Sequence, residues 1–411
     1  MTRADAPKVL MIAYACNPEG TGEHWLGWGW AEQAAKSHQV HLLTTTNARA
    51  VIEKHAPGHG IQPHFVPLPD GWRKVTERLG RFGAWLRKLV WAYRAARVAD
   101  ELHAREKFAL VHQTTFHTFR IPFLATRLNI PSVWGPVAGG EHVPRGFSQF
   151  YGPVALPEWL HRFSNRFCLA LPAVQRSLAR ADVLFVSNHT TLNFLGPKVA
   201  AKCVVVPANA VRVEDEQKPV PVRDRTDATF RLLYVGNCLA TRAMPLAFAA
   251  LARARLRNCE FVIIGSGVGL ELWQRKAREF GVTDQVKFLG QLPHAQLAGY
   301  YETADLLVFP ALRDSGGSAL LEAMSKGVPV ICLDWGGPAE MVDADSGVKI
   351  PVTTPEETIQ AFADALTRLQ SDVGHRIRLS QCAVERTRRH FTWAAKRELL
   401  EQTYRRLLTT R

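Results

Sequence analysis

Short apolar runs alternate with longer amphipathic runs along most of the chain, and this alternation constrains the fold more than any other feature. Apolar runs of about four to eight residues have the length of buried strands, and the runs between them have helical period. Parallel strands need long crossover connections, which are usually helices. The sequence therefore predicts an α/β protein with parallel sheets. The predicted strands include KVLMIAYA, VHLLTT, LVHQTT, PSVWGP and ADVLFVSN in the first half, and RLLYVGN, EFVIIGSG, VKFLGQL, ADLLVFPAL and VPVICLD in the second.

This pattern stops once, near the middle of the chain, and then restarts. Residues 212–229 are charged, contain Pro219 and Pro221, and lack apolar periodicity, as expected of an interdomain linker. A chain of 411 residues is long enough for a domain on each side of it. We predict a Rossmann-like domain at 1–211, the linker at 212–229, a second Rossmann-like domain at 230–390, and a C-terminal helix at 391–411 that packs back toward the first domain.

The stretch RDSGGSALLEAM, residues 313–324, lies between a predicted strand and a predicted helix. In open parallel sheets, ligands bind at the carboxyl ends of the strands. Gly316 and Gly317 would let backbone amides approach an anion at the helix N-terminus, where the helix dipole favours negative charge. Glu322 lies one turn into the helix, placed to accept hydrogen bonds from ribose hydroxyls, and Asp314 reaches what lies beyond the phosphate. The arrangement suits a sugar nucleotide.

The segment 261–342 closely resembles the donor-binding domain of glycosyltransferase family 4, whose members are retaining enzymes of the GT-B fold. Asp314 and Glu322 match the two acids of the family's E-x7-E motif, and LLYVGN followed by Arg242 looks like its Gly-Arg-Leu…Lys element. More weakly, the resemblance extends over almost the whole chain, and ADVLFVSN and VVPANAV look like the strands that close the family's first domain. It implies two Rossmann-like domains that face a central cleft, with the domain at 1–211 on the acceptor side and the domain at 230–390 binding the donor. It also implies a nucleotide-diphosphate sugar as donor substrate, and no cofactor or metal.

Transferred residue by residue, the resemblance implies two catalytic side chains. Arg242 would contact the donor diphosphate, and Asp314 would meet the transferred sugar. The nucleotide base of the donor would lie against the loop 290–292, and a glycine-rich turn of the first domain would face the diphosphate. The implied donor-binding residues are Gly22, Gly236, Asn237, Gly290, Leu292, Gly316, Gly317, Ser318 and Glu322. Of these, Ser318 is also predicted to cap the helix that follows it.

The sequence departs from the family in two places. Asn237 stands where an arginine is usual, and an amide donates a weaker hydrogen bond to phosphate than a cation does. Residues 134–136 read Trp-Gly-Pro where many members place a histidine. Retaining transferases of this fold are thought to let the leaving diphosphate take the acceptor proton, so the loss need not abolish chemistry. Three other histidines are open either as bases or as structural residues: His112, His117 and His142.

Basic residues crowd the segment 72–97 around an apolar helical stripe, and the chain has a formal net charge of +14. A basic amphipathic helix with tryptophans beside its stripe, here Trp85 and Trp91, is typical of membrane-surface elements. The alternative is a stripe that packs on the first domain's sheet and leaves solvated arginines. Gly80 and Gly83 favour a break into two helices. The predicted partners are therefore the sugar nucleotide, a glycan or lipid-linked acceptor, and an anionic membrane surface contacted by 72–97.

Other classes of protein fit the sequence less well. The seven cysteines are scattered and never form CxxC, so neither a disulfide framework nor a zinc site is indicated. The first strand is not followed by G-x-G-x-x-G, which disfavours a nicotinamide-dependent oxidoreductase, and no recognition motif supports nucleic-acid binding. No apolar stretch has spanning length, which together with the cysteines favours a cytoplasmic protein, peripheral on the inner face of the plasma membrane.

The main functional prediction is a retaining glycosyltransferase that acts on a lipid-linked glycan in polysaccharide or glycolipid assembly. Two alternatives stay open. One is a sugar-nucleotide-binding protein with impaired catalysis, and the other is a transferase with a soluble small-molecule acceptor. The sequence does not name the base, the sugar or the acceptor.

Overall fold

Two parallel sheets organise the chain, one in each of two units. The computed structural model describes residues 6–211 and 229–409, without the side chains of Arg73, Arg81 and 151–157. The predicted linker 212–229 thus lies, except for Thr229, outside the described residues. The first unit comprises Met1–Gly140, Phe163–Ala208 and Trp393–Arg411, and the second comprises Glu141–Arg162 and Asn209–Thr392.

The first unit contains a sheet of seven strands in the order β3-β2-β1-β4-β5-β6-β7, all parallel. The strands are β1 Lys8–Ala13, β2 Gln39–Thr45, β3 Ile61–Val66, β4 Leu110–Thr115, β5 Ser132–Val137, β6 Val183–Val186 and β7 Cys203–Val205. The helices are α1 Glu23–Ala35, α2 Arg49–His59, α3 Trp72–Glu77, α4 Gly80–Glu106, α5 Ala155–Ala170, α6 Pro172–Arg180, α7 His189–Leu195 and α8 Pro197–Ala200. The boundary between the units falls within α5.

The second unit contains a sheet of six strands in the order β10-β9-β8-β11-β12-β13, also parallel. The strands are β8 Phe230–Val235, β9 Cys259–Ile264, β10 Val286–Gly290, β11 Leu306–Phe309, β12 Val330–Leu333 and β13 Gly347–Ile350. The helices are α9 Met244–Ala254, α10 Leu270–Glu279, α11 His294–Thr303, α12 Ser318–Ser325, α13 Gly336–Met341, α14 Pro355–Ser371 and α15 Val373–His390. The last helix, α16 Trp393–Thr409, belongs to the first unit.

Two strands were missed by the sequence analysis, and both are edge strands. In β3 only the first and last residues are buried, and Pro63 interrupts its donors, which an edge strand tolerates because one side faces no neighbour. The other, β13, is four residues long with a half-buried middle. The structure also groups Glu141–Arg162 with the second unit, whereas we placed the first domain at 1–211. Val143, Phe147 and Phe150 pack into the second unit's core.

Tryptophans form much of the first unit's interior. Trp28 and Trp30 on α1 are buried, and the ring of Trp30 lies 5.9 Å from that of Trp393 on α16. A side chain at Gly29 would collide with the Trp393 ring, with contacts as short as 2.2 Å. Trp91, predicted to lie beside the membrane stripe, is fully buried and donates to the Val66 carbonyl at 3.0 Å. That part of the prediction is wrong, because α4 turns this face toward the sheet.

A histidine pair, with His41 buried and His64 half-buried, joins β2 to the edge strand β3. His41 Nδ1 lies 3.1 Å from His64 Nε2 with the rings stacked, and His41 Nε2 lies 4.0 Å from the carboxylate of Glu106. Lys8 donates to the same carboxylate at 2.7 Å. Burial, followed by the proximity of His64, lowers the pKa of His41 to about 4. The folded protein therefore favours the neutral ring.

This pair predicts that stability depends on pH. The pKa of His41 is lower in the folded protein than in the unfolded chain. The contribution of the neutral His41 ring to stability is therefore present above about pH 6.5 and is lost as the pH falls toward 4. Lowering the pH from about 7 to about 5 should reduce the free energy of unfolding of the wild type. In the His41→Gln variant we expect this reduction to be about 1–2 kcal/mol smaller. Urea denaturation at the two pH values measures this, with the exposed His24→Gln as control. Equal pH slopes for wild type and His41→Gln would contradict the expectation.

Candidate functional site

The second sheet reverses its strand order between β8 and β11, and several of the residues predicted from the sequence, including Arg242 and Asp314, lie at this point. Chain order runs from β8 to β9 and β10 on one side, whereas β11 lies on the other side of β8. Ligands of open parallel sheets bind in the crevice at such a switch, outside the carboxyl ends of the strands. The loops that follow β8 and β11 are bonded to each other there, since the amides of Leu312 and Arg313 both donate to the Thr241 carbonyl.

Arg242 and Asp314, the two predicted catalytic residues, form an ion pair. Their side chains are 18% and 12% exposed. The Arg242 guanidinium lies 5.1 Å from the centre of the Phe309 ring, and Asp314 Oδ1 accepts from the Gly316 amide at 3.1 Å. Asp314 is thus held by both the cation and its own loop. Asp314 is therefore the ion-pair partner of Arg242, which is predicted to bind phosphate, and it is also a candidate contact for the transferred sugar.

The turn before α12 has the backbone that the glycines were predicted to supply. Gly317 has φ 149° and ψ 73°, which a residue with a side chain rarely adopts. The predicted cap residue Ser318 is instead the first residue of the helix, and Gly317 occupies the cap position without a side chain. The amides of Gly317 and Ser318 donate hydrogen bonds to the side-chain oxygen of Asn209, in the amide orientation that satisfies its neighbours. The sequence analysis did not single out Asn209.

Glu322 is a partly exposed carboxylate on α12 with two polar neighbours. Tyr301 on α11 donates its hydroxyl to Glu322 Oε2 at 3.0 Å, and His294 Nε2 lies 3.6 Å from Oε1. The Glu322 side chain is 23% exposed, so its remaining lone pairs are open to a ligand. Tyr301 is almost fully buried and therefore fixes the orientation of the carboxylate.

The other predicted donor residues of the second unit lie at or just after the ends of β8 and β10. Gly236 donates to the Ile264 carbonyl at 3.0 Å, and the Gly290 carbonyl accepts from Gly265 at 2.8 Å, so three adjacent strand ends are linked. The side chain of Asn237 is exposed, while its carbonyl accepts from the Tyr234 hydroxyl at 3.0 Å. Leu292 packs partly buried on the core beyond Gly290.

The first unit has a cavity of about 340 Å³ at its own switch point, between β1 and β4. Its walls come from the start of α1, from α4 and from the loop after β4. The Glu23 carboxylate accepts from the His117 amide at 3.0 Å, which joins two of these walls. Lys88 Nζ lies 5.8 Å from the centre of the Phe116 ring. The lining residues are Glu23, Ala84, Trp85, Lys88, Phe116, His117, Thr118, Arg120 and Ile121.

Gly22 and the three candidate histidines have distinct surroundings. Gly22 precedes α1 with φ 57° and has open space where a Cβ would stand. His112 is buried between the Tyr404 hydroxyl, at 2.7 Å, and the Gly135 carbonyl, at 2.8 Å. Burial lowers its pKa to about 4, which fits a structural role. His117 lines the first-unit cavity, and the His142 carbonyl accepts from Trp335 at 2.9 Å.

Apolar side chains are exposed on several helices, including α3, α4 and α5. On α3 and the start of α4, Val75 and Phe82 are each 62% exposed, and Leu79 between the helices is also exposed. The break before Gly80 agrees with the predicted division of this segment. On α5 four apolar residues at helical spacing are exposed, a period that is visible in the sequence but was missed: Trp159, Leu160, Phe163 and Phe167. Within the described ranges, no helix is long and apolar enough to cross a membrane.

The fold and the switch-point site define the class of protein. Two Rossmann-like units of this kind in one chain constitute the GT-B fold, as the sequence predicted. The structure is similar to sucrose-phosphate synthase from Thermosynechococcus elongatus, with a TM-score of 0.64 and 20% identity over 98% of this chain and 100% of that chain. It is also similar to Anabaena HepE in complex with UDP and glucose, with a TM-score of 0.60 and 14% identity over 97% and 99% of the two chains.

The sequence itself matches a family. Residues 217–386, most of the second unit, match the family described as Glycosyl transferases group 1. The chain is 33% identical over 153 residues to the D-inositol 3-phosphate glycosyltransferase of Corynebacterium aurimucosum, which covers 36% of this chain and 35% of that protein. It is 26% identical over 408 residues to the alpha-D-kanosaminyltransferase of Streptomyces kanamyceticus, covering 93% and 99%. The chain thus spans about a third of the first of these relatives and nearly all of the second.

Proposed function

We propose that this protein is a retaining glycosyltransferase of family 4, which transfers a sugar from a nucleotide-diphosphate donor held by the second unit. The observation that carries the proposal is the convergence of Arg242, Asp314, Gly317 and Glu322 at the β8/β11 switch point. These residues supply a cation, a carboxylate paired with it, backbone amides at a helix N-terminus, and a second carboxylate that can accept hydrogen bonds. The match to Glycosyl transferases group 1 covers all four.

Each group has a distinct task in the proposed reaction. Arg242 and the amides before α12 stabilise the charge that develops on the leaving diphosphate, usually the largest electrostatic contribution to such catalysis. Glu322 binds the ribose hydroxyls, and Asp314 orients the transferred sugar. The diphosphate takes the proton of the acceptor hydroxyl on the same face of the sugar, which retains the configuration. Among the described residues, no group of three or more His, Cys, Asp or Glu side chains is placed to hold a metal ion.

A donor screen tests this function directly. Thermal shift with UDP-, GDP-, ADP- and dTDP-sugars identifies the donor, because a ligand of the folded state raises its stability by mass action. Release of nucleoside diphosphate is then followed with and without candidate acceptors. Donor binding without transfer to any acceptor would favour a catalytically impaired binding protein. This alternative is suggested by Asn237, which stands where an arginine is usual in the family. Absence of binding to all four donor classes would contradict the proposal.

The acceptor of the proposed reaction is assigned to the first-unit cavity. Its lining combines apolar rings with Lys88, Arg120 and Glu23, which can hydrogen-bond hydroxyl or anionic groups. We propose a lipid-linked glycan as acceptor, in polysaccharide or glycolipid assembly on the cytoplasmic side of the plasma membrane. A soluble small molecule is the alternative, which is supported by the similarity to the D-inositol 3-phosphate glycosyltransferase of Corynebacterium aurimucosum.

We assign the membrane contact to the exposed face of α3 and the start of α4, with the α5 face as a second apolar contact. Val75, Leu79 and Phe82 are exposed beside the basic residues Lys74 and Arg78. Apolar side chains flanked by cations are the composition that binds anionic lipid surfaces. Trp85 lines the cavity instead, so the contact depends on the exposed aliphatic and phenylalanine side chains rather than on the tryptophans.

We expect charge reversal at exposed basic residues of the segment 72–97 to abolish binding to anionic liposomes. The variant carries glutamate at four exposed positions: Lys74, Arg78, Arg94 and Arg97. Each cation near an anionic surface contributes about 1 kcal/mol, so four reversals remove the attraction, and binding of the wild type should weaken with salt. Co-sedimentation with vesicles of phosphatidylserine and phosphatidylcholine measures it.

The control for this experiment changes the net charge equally elsewhere. It carries glutamate at four exposed arginines of α10 and α15: Arg275, Arg278, Arg388 and Arg389. We expect this variant to bind liposomes nearly as well as the wild type. Equal loss in both variants would mean that overall charge, and not the α3–α4 face, attracts the protein to lipid.

A further inference from the structure

The amides at the start of α12 already have an acceptor within the protein. In the amide orientation that satisfies its neighbours, the side-chain oxygen of Asn209 lies 3.1 Å from Gly317 N and 3.3 Å from Ser318 N. It also lies 3.3 Å from the hydroxyl of Ser318. The residue at the cap position of α12 is Gly317, which has no side chain and so cannot cap the helix. Asn209 therefore supplies the cap from more than a hundred residues away.

Asn209 is held in this position by its own segment. It is the first residue of the second unit after the chain leaves the first. Two residues later, Val211 is buried in the second unit's core, and its amide donates to the Phe391 carbonyl at 2.8 Å. The Asn209 side chain also packs so closely on Gly316 that a Cβ there would approach its amide to 2.8 Å. Asn209 is thus held by the buried Val211 that follows it in the chain and by the packing of its side chain on Gly316.

We propose that Asn209 is a placeholder for a donor phosphate oxygen, which the donor must displace from the amides of Gly317 and Ser318. This inference rests on the proposed function, which assigns those amides to the diphosphate. A neutral amide oxygen and a phosphate oxygen need the same donors, and they cannot occupy one position together. Charge-assisted hydrogen bonds are about twice as strong as neutral ones, so phosphate replaces the amide whereas a neutral group does not. Asn209 consequently lowers donor affinity and selects for ligands that carry phosphate.

Two substitutions of Asn209 should change nucleotide affinity in opposite directions. Asn209→Ala removes the competitor, and we expect the tightest-binding of UDP, GDP, ADP and dTDP to bind about 3- to 10-fold more tightly. Asn209→Asp places a carboxylate on the same amides and against the phosphate, and we expect at least about tenfold weaker binding. Isothermal titration of wild type and both variants with all four nucleotides measures these changes.

Melting temperatures separate this role from a purely structural one. Asn209→Ala should melt lower than the wild type without ligand, because a helix cap is lost, whereas Asn209→Asp should not, because aspartate caps as well as asparagine. If Asn209 were only a helix cap, the Asn209→Asp variant would bind nucleotide with wild-type affinity, and the Asn209→Ala variant would bind it with equal or weaker affinity. The matched control is Asn188→Ala, since Asn188 caps α7 in the first unit by accepting from Thr191 N at 2.8 Å. It should melt lower with unchanged nucleotide affinity.

The outcomes are distinguishable from a failure of the proposed function. If wild type or Asn209→Ala binds a nucleotide and the order of affinity is alanine, wild type, aspartate, the placeholder is supported. If the wild type binds and alanine does not tighten binding, the placeholder is overturned while the donor site stands. If neither protein binds any of the four nucleotides, both the donor site and the placeholder are overturned.

Discussion

Replacing Arg242 with alanine is expected to slow sugar transfer by roughly 30- to 1000-fold, the equivalent of about 2–4 kcal/mol of transition-state stabilisation. Arg242 is the cation that faces Asp314 at the switch point, and the neighbouring Asn237 cannot provide a second charge. The diphosphate gains charge as its bond to the sugar breaks, so a fixed cation acts most strongly in the transition state. Steady-state kinetics with the donor identified in the screen measure the loss.

Controls for this variant separate catalysis from folding. Removing Arg242 leaves the Asp314 carboxylate, which is 12% exposed, without its ion-pair partner, so the variant should also lose stability. Combining it with Asp314→Asn should recover the melting temperature without recovering turnover. Asn237→Arg in the Arg242→Ala background should restore part of the activity. An Arg242→Ala protein with undiminished transfer would exclude this residue from the site.

Replacing Glu322 with alanine should weaken nucleotide-donor binding by roughly 10- to 100-fold, because hydrogen bonds to a charged group contribute about 1.5–3 kcal/mol. The Tyr301 hydroxyl and the helix fix the carboxylate before the ribose arrives, so little ordering is needed on binding. The ribose is remote from the reacting bond, and its contacts act equally in the ground and transition states. We therefore expect a higher KM with nearly unchanged kcat.

Two companion variants sharpen this result. Tyr301→Phe keeps the Glu322 carboxylate and removes only the hydroxyl that orients it, so its effect on KM should be smaller than that of Glu322→Ala. Asp314→Ala should act in the reverse manner, lowering kcat more than nucleotide affinity, because the transferred sugar lies at the reacting bond. Wild-type affinity in Glu322→Ala would remove the ribose contact from the proposal.

The donor side of the candidate site could be predicted largely from the sequence, since its parts are local. Asp314, Gly317 and Glu322 follow one apolar strand, and the turn and helix between them fix their spacing whatever the rest of the fold does. Arg242 follows a second strand, β8. Carboxyl ends of parallel strands share one edge, so placing these residues together required only the assignment of the sheet as parallel.

The sequence by itself determined the succession of buried strands, the division into two parallel α/β domains and the glycine-rich turn, because local period and backbone chemistry encode them. Its resemblance to a known family then implied the GT-B fold. Tertiary structure alone decided which partners meet across long separations. Asn209 caps α12, Arg242 pairs with Asp314, and Trp91 faces the sheet rather than the solvent. The edge strands β3 and β13 also needed it, because half-exposed strands carry a weak apolar pattern and are fixed by the neighbour to which they bond.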